Sequence, residues 1–567
     1  MWRGSPTMTS FSRNMMKKSD IDRLEHQGCY SDDWSLVTIS PKTDLGKIRN
    51  VFFRGHVSIG ADAEIVNVPG GLKNVRIGNN VRINNVAKIE KSEGATFGIG
   101  TVVSVLDETG SRPVRIYPGI SAQLAALAAR MPEYAARTLD PIIQKHIANL
   151  PDIPEIGDSA VILDCGPIID VRIWNGVRVE GASRLRNCSI VSNSENVGAS
   201  AYVGHGTDAE NCIIEDARIG GGSFLRNTYV GQGAVVDKGF TSHDSLCFSN
   251  CTMENGEACA VLAGPFTVSM HKSTLLIACQ TAFLNAGSGT NMSNHMYKLG
   301  PVHWGVLERG VKSSSNSYLM HGSRIGAFSL LMGDHRNHPD SSEFPFSYVI
   351  GDARGRTVLV PGAMLRSYGI VRDEKKWQSR DRRRNLGLKN FNDRIDPGIF
   401  NPYTAGLMAD AIDICARLLS DASDIDDFIV YKGMKISLNS LSKGKDLYEL
   451  ALCKYLNTIS GGASSLAAVG DSEGEKWLDL NGQIIPESRV RKAMEAGSLE
   501  EIEEVFDKAA RDRDKLERNW ISGRLGRYLA DRERLAVKAA EYDSILEKDR
   551  LDSIRKVSEE QAMLSLF

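Results

Sequence analysis

The stretch Ile173-Trp174-Asn175-Gly176-Val177-Arg178-Val179-Glu180-Gly181-Ala182-Ser183-Arg184-Leu185-Arg186-Asn187-Cys188-Ser189-Ile190-Val191 decides the fold. Aliphatic side chains recur at every sixth position, Ile173, Val179, Leu185 and Val191. That spacing is too wide for a helix of period about 3.6 or a plain strand of period 2. Upstream the same beat places Ile77, Ile83 and Ile89, then Ile156, Ile162 and Ile168. Downstream it places Val197 and Val203, then Ile213, Ile219 and Leu225, then Val230 and Val236, with the register reset between groups. Gly follows the aliphatic residue at Ile59-Gly60, Ile77-Gly78, Ile156-Gly157, Val203-Gly204, Ile219-Gly220 and Val230-Gly231. A solenoid explains the pattern: each hexad forms a short strand and a turn, and three hexads close one triangular coil. The aliphatic side chain points inward, while Gly and residues such as Asn79, Asn80, Asn84, Asn85 and Asn175 take the corners.

Bulk composition bounds the rest. The 567 residues are 42% hydrophobic, and 68 Lys and Arg face 70 Asp and Glu for a formal net charge of −2. Nothing in that balance calls for nucleic acid or a membrane surface, and no nucleic-acid partner is expected. No window approaches the roughly 18 to 20 continuous apolar residues of a membrane helix, so no membrane association is expected. The first residues lack an apolar signal core with a cleavage site, which predicts a cytoplasmic protein. The ten cysteines include no CxxC pair and read as buried reduced thiols.

The texture divides the chain. Residues 1–20 read as disordered, and 21–106 as the first part of the solenoid. Residues 107–155 read as an insertion rich in helix formers such as Ser121-Ala-Gln-Leu-Ala-Ala-Leu-Ala-Ala-Arg130. The beat resumes at 156 and the second part of the solenoid extends to 370, loosening into longer loops beyond Gly239. Residues 371–400 carry Arg372, Lys375, Lys376, Arg380, Arg382, Arg383 and Arg384 and read as a basic linker. Residues 401–567 read as a helical region, with amphipathic Leu407–Leu419 and Lys445–Leu456.

On a rigid solenoid, function is mounted on long loops. The segment from Gly264 to Pro345 holds six of the eleven histidines: His271, His295, His303, His321, His335 and His338. His295 or His271 can serve as a general base, because neutral imidazole accepts a proton near pH 7. Tyr297 offers a hydroxyl, and Glu308 can orient a histidine or itself take a proton. Lys272, Asn291, Asn294, Lys298, Arg309 and Lys312 can hold an anionic group on a small-molecule substrate. His303, His335 and His338, with Asp334 and Asp340 beside the last two, form a candidate set for a divalent metal. Gly287-Ser288-Gly289 is too short for a phosphate-binding loop.

The six-residue beat resembles that of the hexapeptide-repeat, left-handed parallel β-helix proteins, many of them trimeric acyltransferases or repeat domains of sugar-nucleotide enzymes. The resemblance implies a mainly β fold, a left-handed parallel β-helix with a helical insertion and a C-terminal α-helical region, assembled as a homotrimer. Glu254-Asn255-Gly256-Glu257, the central stretch and Phe344-Pro345-Phe346-Ser347-Tyr348 are similar to a family of bacterial β-helix proteins described only as a domain of unknown function, over roughly residues 20 to 400.

Three functions are open. The first is a transferase of the hexapeptide-repeat type, moving an acyl or related group from a donor such as acyl-CoA to a sugar, sugar nucleotide or other small phosphorylated acceptor, with a histidine base. The second is metal-dependent hydrolysis or lyase chemistry at the histidine-rich stretch, by analogy with β-helical carbonic anhydrases. The third is a non-catalytic trimeric binding scaffold. Nucleotidyl transfer is disfavoured, because the N-terminal region carries no Gly-rich nucleotide loop.

Overall fold

The computed structural model describes residues 16–194, 201–293, 303–423, 427–460 and 475–564. Contacts divide the chain into two units: Met1–Lys272 with Asp381–Asp393, and Ser273–Arg380 with Arg394–Phe567.

The first unit is a β-solenoid, as the beat predicts. Its strands pair in parallel, each with the strand one coil away, so that Ile48 lies on Ile65 and Ile65 on Ile83. Ile77, Ile83, Ile89, Ile156, Ile162, Ile168, Ile173, Val179, Leu185, Val191, Val203, Ile213, Ile219, Leu225, Val230 and Val236 are all buried. Val197 lies outside the described residues. The register resets also acquire a cause. Val203 stacks on Ile219, Ile219 on Val236 and Val236 on Met253, a step of 16 or 17 residues rather than 18. At least one side of each such coil is therefore five residues long, as from Leu225 to Val230.

Past Gly239, where longer loops are expected, the coils of this unit stay regular. Ser242 stacks on Ala258 and Met253 on Ser269. Ser242, Ala258, Ala263 and Ser269 are buried at inward positions. Small residues there conceal the beat from a reading based on aliphatics, although the geometry persists.

Corners are held by residues in the left-handed conformation, which Asn and Asp tolerate better than most. Asn80 and Asn85, both placed at corners by the sequence, have φ of 55° and 56°. Asn187, Asn211, Asn227 and Asp244, with φ of 48°, 56°, 48° and 46°, form a ladder one coil apart. Each amide donates to the next side chain, at 2.8 Å, 2.9 Å and 3.1 Å.

The coils of the first run end at Glu90 rather than near Leu106. Strand Arg82–Glu90 pairs directly with Val161–Ile173, placing Ile83 on Ile162. The intervening chain opens with an antiparallel hairpin, Val102–Ser104 with Pro113–Arg115, before the helical segments begin. Helix Ala122–Arg130 follows, N-capped by Ser121 and buried from Ala122 to Ala129, and then helix Asp140–Ala148.

The basic run is not a linker. In the first unit, Arg382 donates to the carbonyls of Gly233, Asn250 and Cys251 at 2.5, 2.8 and 2.9 Å. Arg383 grips Asp381 with Nε at 2.9 Å and Nη2 at 2.8 Å, and donates to the Asp393 carbonyl at 2.9 Å. In the second unit, Gly369–Ser379 is a helix.

The second unit continues with parallel coils of its own, stacking Leu276 on Met292, Met292 on Leu319 and Leu319 on His335. Strand Tyr348–Gly351 turns back antiparallel onto Thr357–Val360, which pairs with Met434–Ser437. Helices Pro402–Asp421, Leu438–Ser460 and Arg532–Leu564 pack together. The C-terminal region also contains two hairpins, Phe428–Tyr431 with Met434–Ser437 and Trp477–Leu480 with Gln483–Pro486. The second turns at Asn481-Gly482, φ 52° and 112°, a two-residue turn whose Asn-Gly pair favours positive φ.

Candidate functional site

Two of the sequence-selected residues fall together in the second unit. Glu308 and Arg309 follow strand Gly305–Leu307, at a corner that Gly310 closes with φ 71°. The Glu308 amide donates to the Ile325 carbonyl at 3.0 Å, fixing the corner on the next coil.

The Glu308 carboxylate is buried, with one partner on each oxygen. Arg324 Nη2 donates to Oε1 at 2.9 Å, and the Tyr403 hydroxyl donates to Oε2 at 2.5 Å. Tyr403 sits in the first turn of helix Pro402–Asp421, whose start is fixed by a capping box between Asn401 and Thr404. Burial pushes the Glu308 carboxyl above its ordinary range, opposed by the Arg324 charge and the Tyr403 hydrogen bond, while Asp479 adds to the upward push. Burial, and then the charge of Glu308, push the Tyr403 phenol well up. The Arg324 side chain is 53% exposed and Tyr403 is half-buried, so the buried carboxylate lies beneath a solvent-facing rim.

Arg309 is placed differently. Its side chain is fully buried, and Nη2 donates to the Asp396 carbonyl. The guanidinium lies 4.9 Å from the Phe283 ring centroid. Nη1 is 3.7 Å from Asp479 Oδ2, near enough for charge attraction but too far for a hydrogen bond, and neither Nε nor Nη1 has a hydrogen-bond partner. Arg309 thus balances charge within the unit, and Glu308 and Arg324 are the members that meet the rim.

The other expected residues are dispersed. His295, Tyr297, Asn294 and Lys298 lie outside the described residues. His271 and Lys272 are exposed at the end of the first unit. In the second unit, Asn291 begins the coil strand Asn291–Ser293, and Lys312 Nζ pairs with Asp373.

His303, His335 and His338 do not come together as ligands. Among the described residues, no group of three or more His, Cys, Asp or Glu side chains is arranged to hold a metal ion. His335 occupies an inward coil position, with Nδ1 2.8 Å from Thr357 Oγ1 and Nε2 3.2 Å from the Met332 carbonyl. Burial lowers it to about 4, so it is a neutral core histidine. His338 Nδ1 lies 2.7 Å from the His321 carbonyl, and His321 Nε2 2.9 Å from that of Ile277. These imidazoles hold loops to neighbouring coils.

Sequence reading missed Arg324 and Tyr403. Arg324 stacks one coil on from Val306, two residues before Glu308, so coil-step counting from Glu308 itself reaches Gly326 and passes Arg324 by. Tyr403 is brought from a distant helix and leaves no local spacing signal. It also missed Glu215 in the first unit, a buried carboxylate that accepts from the Gly119 amide at 2.8 Å, Asn193 and Asn392 Nδ2 at 2.9 Å each, and the Tyr229 hydroxyl at 3.0 Å. Burial and the neighbouring Asp216 push it up to about 7.

The family model described as a domain of unknown function, DUF4954, matches residues 13–76 and 65–419. The chain belongs to the DUF4954 family. The DUF4954 match includes Glu308, Arg309, Arg324 and Tyr403 and ends before Asp479. No curated protein matches the sequence. Fourteen chains of solved structures match. One is a UDP-N-acetylglucosamine O-acyltransferase from Moraxella catarrhalis, 9% identical, with 74% of this chain and 96% of that chain covered at a TM-score of 0.15. So loose a superposition assigns this DUF4954 member no substrate. Among the described residues, no helix is long and apolar enough to cross a membrane.

Proposed function

We propose that the chain is a small-molecule group transferase in which Glu308 is the general acid–base and Arg324 and Tyr403 receive the substrate at the rim. The reading rests on one observation: a buried carboxylate made more basic by desolvation is bonded to a largely buried phenol and to a guanidinium whose side chain is half-exposed. Buried acids with shifted proton affinity and specific charged partners mark functional sites. In the acyl-transfer form, Glu308 takes the proton of an acceptor hydroxyl and the acceptor oxygen attacks the carbonyl carbon of a CoA thioester. The C–S bond breaks, and Glu308 returns the proton to the leaving thiolate, which departs as the CoA thiol and restores the carboxylate. Arg324 pairs with acceptor phosphate or carboxylate. A homotrimeric assembly belongs to the same proposal and is tested by the solution mass from light scattering, expected at three times 62.0 kDa.

The test is CoA release from acetyl-CoA and longer acyl-CoAs, followed by chromatography against a panel of sugar phosphates and nucleotide sugars. Wild type should turn over, and Glu308→Gln should lose about 100-fold or more of the rate while melting as wild type does. Turnover unchanged in Glu308→Gln removes Glu308 as the base. No CoA release with any pair removes acyl transfer.

A further inference from the structure

A second site is built entirely from the C-terminal part of the second unit and shares no residue with the Glu308 cluster. It is a cavity of about 370 Å³ between the hairpin Trp477–Leu480/Gln483–Pro486 and the helices Glu487–Met494 and Arg513–Arg524. Trp477 and Trp520 supply its aromatic wall, with ring centroids 6.4 Å apart and planes inclined by 69°. The Trp520 indole N–H donates to the Glu475 carbonyl at 3.0 Å, which fixes that ring.

Its charge comes from one helix. Arg489 and Lys492 are three residues apart on helix Glu487–Met494, so they share a face, and both line the cavity. Neither makes an ion pair among the described residues, whereas Arg491, off that face, pairs with Glu487 at 2.7 Å. Glu475, the one acidic residue of the lining, accepts from the Ser488 amide at 3.0 Å and is thereby turned to the first turn of the helix. Two cations therefore face the space, and the single carboxylate beside them is engaged.

Indole walls with two unpaired cations match one ligand chemistry, a flat aromatic ring bearing an anionic group. Trp477 and Trp520 are 5% and 3% exposed, so the ligand ring abuts the small part of each indole that reaches the cavity, and the anion takes hydrogen bonds and charge from guanidinium and ammonium. The volume lies in the range of small-ligand sites. We propose that this cavity binds a small planar aromatic anion, with Arg489 and Lys492 holding its carboxylate or phosphate and Trp477 and Trp520 flanking its ring.

Isothermal titration of the full-length chain tests this with AMP, 2-aminobenzoate, adenosine and inorganic phosphate. At least one aromatic anion should bind saturably. Adenosine and phosphate should each bind at least about tenfold more weakly, because each lacks half of the complement. A preference for AMP identifies the source as a nucleotide, and a preference for 2-aminobenzoate identifies an aromatic acid. In R489Q/K492Q, which changes only two lining residues without ion pairs among the described residues, binding should weaken by about tenfold or more with an unchanged melting profile. R489E/K492E should abolish it. The proposal fails if neither aromatic anion binds, if phosphate alone binds as tightly as AMP, or if both double variants bind as wild type does.

Discussion

A buried carboxylate and a buried arginine in each unit are partnered differently. In the first, Glu215 accepts from four donors and Arg383 donates to Asp381 and to a carbonyl. In the second, fully buried Arg309 keeps two nitrogens without hydrogen bonds, and Glu308 shares its carboxylate with two side chains at a solvent-facing rim. Around Glu215 the partners come both from the coils, at Asn193 and Tyr229, and from segments laid on them, at Gly119 and Asn392. At Arg309, also on a coil, the one hydrogen-bond acceptor comes from a distant segment, the Asp396 carbonyl, and satisfaction is incomplete. Glu308 beside it is buried enough to gain basicity yet meets the rim through Arg324.

Three measurements break or sharpen this contrast. The largest effect is expected for Arg383→Met in the first unit. It takes the guanidinium from buried Asp381, which keeps the Asn250 amide at 2.8 Å and the backbone amide of residue 383, and leaves the Asp393 carbonyl without its Arg383 donor. It should cost about 3–5 kcal/mol, read from the unfolding transition assigned to this unit by hydrogen exchange. A loss below about 1 kcal/mol would show that the paired arginine is not essential there.

The next concerns pH. The Glu215 carboxyl is held up to about 7 in the folded chain, against 4.5 as its ordinary value. The folded state therefore holds the proton more tightly than the unfolded one. The associated stability is fully present below about pH 4.5 and is lost as pH rises to and through 7, by about 3 kcal/mol in all. The stability difference between wild type and Glu215→Gln should shift by that order across the window. A flat difference would mean that the four donors offset the burial.

The smallest effect is expected for Arg309→Met. It removes a buried cation that already lacks partners for Nε and Nη1 and replaces it with an apolar chain of similar reach. The change should cost about 1–2 kcal/mol, less than Arg383→Met, since it removes one hydrogen bond, to the Asp396 carbonyl, and a charge with no carboxylate in hydrogen-bond reach. A cost equal to that of Arg383→Met would erase the distinction between the two arginines.

The solenoid was legible because the constraint on it is periodic. Ile173, Val179 and Leu185 must all point inward, and only a coil satisfies that at six-residue spacing. The regular coils beyond Gly239 were obscured where Ser242, Ala258 and Ser269 fill the inward positions, because small residues pack there without raising hydrophobicity. Glu308 and Arg309 could be picked out as charges between glycines, but their opposite roles depend on Tyr403, Asp396 and Asp479, which tertiary folding delivers. Histidine density misled for a related reason. His335 takes a core position on Leu319, and a sequence does not distinguish an imidazole that bonds a carbonyl from one that awaits a ligand. The hairpin that walls the aromatic cavity, turning at Asn481-Gly482, lies inside a region that reads as helical, because its strands are only four residues each.

The excursion between Glu90 and Val161 leaves and re-enters the solenoid at stacked strands, since Ile83 lies directly on Ile162. Topologically it is a graft: a stretch spliced into the gap between adjacent coils without altering their register. Yet its Gly119 amide donates to Glu215 and its Ala122 amide to Asp393, at 2.8 Å and 2.7 Å. Graft and host are thus mutually dependent, and a shortened chain joined cleanly from coil to coil would leave two buried carboxylates each short of one donor, Glu215 keeping Asn193, Tyr229 and Asn392 and Asp393 keeping the Ser249 amide.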